Sequence, residues 1–231
     1  MADKFTLQLP LLLVVLLAPG VFNTVQADCS DRRAAGMDWS GCKKINKLLG
    51  DTDYTGSRFD DAILTLSKIG DSNFKDASLI KADLTRVDAT GSRFEDANLT
   101  KAVGYRATFD EVSMIRTNLT KSEFFRASFR EAEIKDVDWS KSELGRVDFT
   151  EAKLAEVDFS YSNLSRVDFD DAELSAVNFE GAYTYLTRFE GIDLRAVKML
   201  TQAQLDQACG DSGTRVPAGL QASTSWPCTD D

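Results

Sequence analysis

The chain has 231 residues, 43% of them hydrophobic and 28% charged, a composition that builds a packed domain and excludes wholesale disorder. Its net charge of −10 argues against a nucleic-acid binder held by phosphate contacts. Histidine is absent, which removes the commonest general base, the commonest neutral metal ligand and every histidine-dependent triad. The sequence therefore predicts no enzyme, no metal site and no cofactor.

Residues 1–27 read as a signal peptide. Lys4 charges a short leading region, Leu7, Leu9 and residues 11–17 supply an apolar core, and Pro19 and Gly20 interrupt it. Val25 and Ala27 place small residues before a cleavage point after Ala27. The core is too short to span ~30 Å of hydrocarbon comfortably, which disfavours an uncleaved anchor. Asp28 stands where a lipoprotein would carry a small residue before Cys29. The expected product is exported without stable membrane insertion, with the bacterial periplasm as the destination and secretion as the alternative.

Residues 28–58 read as an N-terminal cap with degenerate first repeats. Four cysteines fall at the two ends of the mature chain: Cys29 and Cys42, then Cys209 and Cys228. An even number so placed in an exported chain predicts structural disulfides, and no CxxC spacing suggests zinc or redox chemistry.

From Phe59 to Met199 every fifth residue is large and apolar, without a shift of frame, except Ala89, Gly104 and Thr184. Two residues before each centre sits a small or β-branched residue, such as Ala97, Ser122 or Val147, and a polar residue lies between. A period of five fits neither a helix nor a strand. It fits a chain that turns a corner every five residues and points two side chains inward per side. Gly104 leaves a volume deficit that a neighbouring aromatic would fill, and Tyr183-Thr184-Tyr185 suggests a local bulge.

Residues 200–231 read as a C-terminal cap with a short helix. Thr201 with Gln204 spells a capping box, Leu200 with Leu205 a hydrophobic staple, and Gly210 suits the position after the helix.

The runs Ala97-Asn98-Leu99-Thr100, Ala82-Asp83-Leu84-Thr85 and Val157-Asp158-Phe159-Ser160 resemble the A(D/N)LXX signature of the pentapeptide-repeat family. The resemblance covers residues 59–199 and continues weakly back through Tyr54 and Leu49 to Trp39. It implies an all-β fold, a right-handed quadrilateral β-helix with four repeats per coil. Coils stacked at the strand spacing of about 4.8 Å make a rod of roughly seven coils. The ends resemble those of exported, disulfide-capped members. Caps at opposite ends of such a rod are too far apart to be bridged, which favours Cys29–Cys42 and Cys209–Cys228.

Positions twenty apart should stack, so surface columns can be read. Arg86, Arg106, Arg126, Arg146 and Arg166 form one, and Lys81, Lys101, Lys121 and Lys141 form the column before it. Glu111, Glu131, Glu151 and Asp171 form a third, and Asp96, Asp136 and Glu156, with Arg116 intruding, a fourth. Charges over residues 81–180 come to about +1, +1, −4 and −5 by face. The recurring Arg-Val-Asp, and Lys121 with Glu123 and Lys141 with Glu143, predict local neutralisation of the basic columns. Basic docking columns and an acidic face are the candidate sites. The leading expectation is a rigid extracytoplasmic structural or interaction module with an unidentified protein partner. The alternative, implied by cytoplasmic family members, is a DNA mimic that binds gyrase.

Overall fold

In a computed structural model, the described residues are 28–30 and 32–228, so the expected signal peptide lies outside them. Each coil takes twenty residues, and residue i pairs in parallel with residue i+20 from Asp38↔Arg58 to Asn178↔Lys198. On one side the pairing is regular enough to form strands: β1 (Ser113–Ile115), β2 (Glu133–Lys135), β3 (Lys153–Ala155) and β4 (Glu173–Ser175), stacked in that order. The cross-section is four-sided, as the family resemblance implies.

The five-residue repeat is a complete accounting of backbone hydrogen bonds, and the side built on Leu84 shows it. Asp83 N–H donates to Ala62 of the coil before (2.8 Å) and Leu84 N–H to Val103 of the coil after (2.6 Å). Arg86 N–H reaches Tyr105 (2.9 Å), and Val87 N–H closes the corner onto Leu84 (2.9 Å). The one N–H left, that of Thr85, is taken by the Asp83 carboxylate at 2.9 Å. Where Asp or Asn precedes a centre, its side chain thus performs an Asx turn that takes up this N–H. Asn98 and Asn118 do the same for Thr100 and Thr120.

The centres and the small residues two before them fill the interior. Phe109, Phe129, Phe149, Phe169 and Phe189 stack with ring centroids 5.1–5.6 Å apart, each fully buried. Edge-to-face contacts lock this stack to its neighbours, as between Phe149 and Trp139 at 5.6 Å and 70°. A Cβ on Gly104 would stand 2.4 Å from the Phe124 ring, so that ring occupies the expected deficit.

Three expectations are corrected. Met199, the last member of the fivefold series, is 62% exposed with φ of 56°, because the chain there leaves the coil for the cap. Tyr183-Thr184-Tyr185 forms no bulge: Tyr183 pairs in register with Asn163, and the buried Thr184 hydroxyl donates to Gln204 O at 2.9 Å. The extra residues lie one coil later, where the pairing slips to Arg188↔Cys209 and Asp193↔Arg215. Gly210 does not end the helix; its missing side chain makes room for Trp226, whose ring would stand 2.7 Å from a Cβ.

The cap helix α1 spans Gln202–Gln207, with Thr201 and Gln204 forming the capping box. It closes with Ala208 N–H on Gln204 O and Leu205 O. Leu205 is fully buried, and Leu200 packs against the same core. Gln204 joins helix to solenoid: its Nε2 donates to Phe179 O (2.7 Å), which also accepts the Ala182 N–H, and to Ala182 O (2.9 Å), a carbonyl that the missing next coil would otherwise leave open. Gln204→Ala should therefore destabilise the C-terminal coils by about 1–3 kcal/mol, the cost of one orphaned acceptor. Urea denaturation followed by hydrogen exchange over 179–208 would measure it.

Both disulfides form, Cys29–Cys42 with Cα atoms 5.5 Å apart and Cys209–Cys228 at 5.4 Å. Each ties its own end of the rod.

Candidate functional site: the charged edges

The charged columns sit on the corners of the rod rather than the middle of its sides. Every one of their residues has a left-handed backbone, with φ between 53° and 60°. Glycine is the usual solution there, and a side chain costs roughly 1 kcal/mol or more. This chain places Lys, Arg, Glu or Asp at most of its corners, which point them outward, and keeps glycine at six, among them Gly56 and Gly91.

Four edges result. Lys81, Lys101, Lys121 and Lys141 run along one, and Arg86, Arg106, Arg126, Arg146 and Arg166 along the next. Glu111, Glu131, Glu151 and Asp171 follow, then Asp96, Asp136 and Glu156 with Arg116 among them. Arg116 grips Asp96 through two hydrogen bonds of 2.6 and 2.7 Å, which hold the Asp96 carboxyl below its ordinary pKa.

The carboxylates expected to neutralise the basic edges turn largely to other partners. Asp148 pairs with Arg130 (3.0 Å) and Asp168 with Arg188 (3.9 Å), because both partners lie outward on neighbouring coils of the same side. Glu123 accepts from the Tyr105 hydroxyl at 2.8 Å, and Glu143 from Asn163 at 2.9 Å, rather than meeting Lys121 or Lys141. Among the described residues Arg86, Arg106 and Arg146 and Lys101, Lys121 and Lys141 make no ion pair. Lys81 approaches Asp61 at 4.0 Å.

The repeat pattern misses one class of surface residue. Tyr105, Phe125, Tyr161, Tyr183 and Tyr185 are exposed, and all lie on the side between the Lys and Arg edges or on its borders. They occupy outward and corner positions, which the search for inward centres passes over; reading residues by their phase in the twenty-residue coil would have collected them. Beside the C-terminal disulfide a cleft of 340 Å³ is lined by Arg146, Arg188, Asp168 and Glu190 among others. Its Arg188 already meets both Asp168 and Glu190, so the cleft is largely self-neutralised. Among the described residues no cluster of potential ligands could hold a metal ion, and no helix is long and apolar enough to cross a membrane.

Several carboxylates are held below the usual range by hydrogen bonds: Asp38 by Ser40, Asp53 by Thr55, and Asp193 by Arg195. A depressed folded-state pKa contributes stability above the unfolded value of about 3.9 and loses it as pH falls toward the folded one. The melting temperature should therefore be level from pH 7 to about 5 and fall below about 4, as thermal melts across that range would record.

A continuous core enclosed by four parallel ladders and closed at both ends defines a capped parallel β-solenoid. The chain carries pentapeptide repeats: the model of pentapeptide repeats matches it in eight copies over residues 67–103 and 142–181. The solved structure of HetL, a pentapeptide-repeat protein involved in heterocyst differentiation regulation in the cyanobacterium Nostoc sp. strain PCC 7120, is similar. It has a TM-score of 0.50 at 18% identity, over 86% of this chain and 90% of that one. A trypsin-treated variant of QnrB1, a plasmid-mediated fluoroquinolone resistance protein, superposes with a TM-score of 0.54 at 14% identity, over 80% of this chain and 92% of that one. At such identities the likeness is one of fold. No curated protein sequence matches the chain.

Proposed function

We propose that the chain is a non-catalytic, extracytoplasmic rod that serves as a structural or protein-interaction module. The observation that carries this reading is the pair of disulfides, one at each end, on a solenoid whose interior is filled by its own side chains. Disulfides persist in oxidising compartments, which agrees with a leading segment that reads as an export signal. A filled interior leaves the outer edges, with the Lys101, Lys121, Lys141, Arg86, Arg106 and Arg146 that make no ion pair among the described residues, as the surface available for recognition. The test is cell fractionation with intact mass under non-reducing conditions. An exported species starting at Asp28 and about four mass units lighter than the reduced chain is expected, since each disulfide removes two hydrogens.

A second reading, a DNA mimic acting on gyrase, is favoured by the two neighbouring acidic edges. It becomes the better one if the protein is cytoplasmic, full-length and reduced. Inhibition of gyrase supercoiling by that species would then support it.

A further inference from the structure

We infer that the side bounded by the Lys and Arg edges is a docking surface for an acidic protein segment, centred on Tyr105, Phe125, Arg106 and Arg126. The inference rests on the interaction-module reading and names its partner's chemistry.

Exposed aromatic side chains scattered over a monomer need no explanation, but a concentration on one side does. All five exposed aromatics of the described residues gather here. Two of them are accommodated by a glycine one coil later. A Cβ on Gly145 would stand 3.1 Å from the Phe125 ring, and one on Gly181 only 2.7 Å from that of Tyr161. These rings thus lie down along the rod. Tyr105 meets Phe125 at 6.5 Å, and the Arg126 guanidinium sits 5.6 Å from the Phe125 centroid. The Tyr105 hydroxyl is fixed by Glu123. Tyr, Phe and Arg are enriched at protein interfaces, and Tyr and Arg at their energetic centres.

Charge selects the partner. The cations Lys101, Lys121 and Lys141 on one border, and Arg106 and Arg146 on the other, have no carboxylate of their own among the described residues. An acidic partner would supply it. A uniform polyanion fits less well, because Glu123 and Glu143 run down the middle of the same side and the whole chain carries −10. A polypeptide can place carboxylates at the borders and an apolar residue over the rings; a nucleic acid or sulfated polysaccharide cannot vary its charge in that way.

The test is fluorescence anisotropy at low salt, using the oxidised mature protein and a labelled peptide of alternating Glu and Leu. Saturable binding is expected, weakened roughly tenfold by Tyr105→Ala and by Arg126→Ala, the size of a modest interface hot spot. Glu151→Gln, on an acidic edge, should leave binding unchanged. Thermal melts of each variant separate lost contact from lost fold. No binding, or binding indifferent to Tyr105→Ala and Arg126→Ala in folded variants, overturns the inference; so does preference for dextran sulfate or single-stranded DNA over the peptide. Recovery of the protein from the cytoplasm would defeat the compartment reading alone, leaving the anisotropy result to stand or fall separately.

Discussion

Phe149→Ala is expected to lower the free energy of unfolding by about 3–5 kcal/mol, the range for emptying a buried aromatic site. Phe149 is stacked between Phe129 and Phe169, each 5.4 Å away, and meets Trp139 edge-on. The ladder above and below holds the coils at fixed separation, so the surroundings cannot collapse to fill the gap. A coil contacts only its neighbours, and the loss should weaken coupling between the two halves of the rod rather than spread evenly. Denaturant melts should lose steepness, and hydrogen exchange should show protection falling first around residues 129–169. A uniform loss of protection along the whole chain would contradict nearest-neighbour coupling.

Removing the Cys209–Cys228 bridge, by Cys209→Ser with Cys228→Ser, should cost about 3 kcal/mol, the loop-closure contribution for a separation of this length. The bridge spans 19 residues and holds the closing segment across the end of the rod. Trp226, near its end, donates to Ala208 O at 2.7 Å and lies over Gly210. Without the bridge these contacts must hold the segment alone. The expected result is faster hydrogen exchange over 186–228 while residues 59–150 keep their protection. Limited proteolysis of the serine variant should trim the chain back toward the regular coils and stop there.

The solenoid was legible because its rule is local and repeated. An apolar residue every fifth position is what a four-sided coil needs for packing, and where Asp or Asn precedes it the fifth N–H is satisfied as well. The capping box was legible for the same reason, since Thr201 and Gln204 satisfy each other within one turn. Features that depend on another coil were harder. The fate of Met199 depends on where the ladder stops, and the role of Gly210 on a tryptophan sixteen positions later. Ion pairing was misjudged because Arg-Val-Asp invites a match within one repeat, whereas Asp148 and Asp168 find Arg130 and Arg188 on adjacent coils. The indole N–H of Trp139 finds no partner in the core, a cost that no pattern of five announces.

The fixed count of residues per coil has an evolutionary consequence. Inserting or deleting twenty residues lengthens or shortens the rod and leaves every downstream side chain at its old azimuth. A gain or loss of five preserves the packing rule equally well, yet turns everything after it by a quarter of a revolution. Such an event between Lys101 and Lys121 would carry the later Lys and Arg rows out of line with the earlier ones and sever the aromatic patch from half of its cations. Lineages of this protein should therefore differ in length by whole coils wherever that surface is under selection, and by single repeats only where it is not.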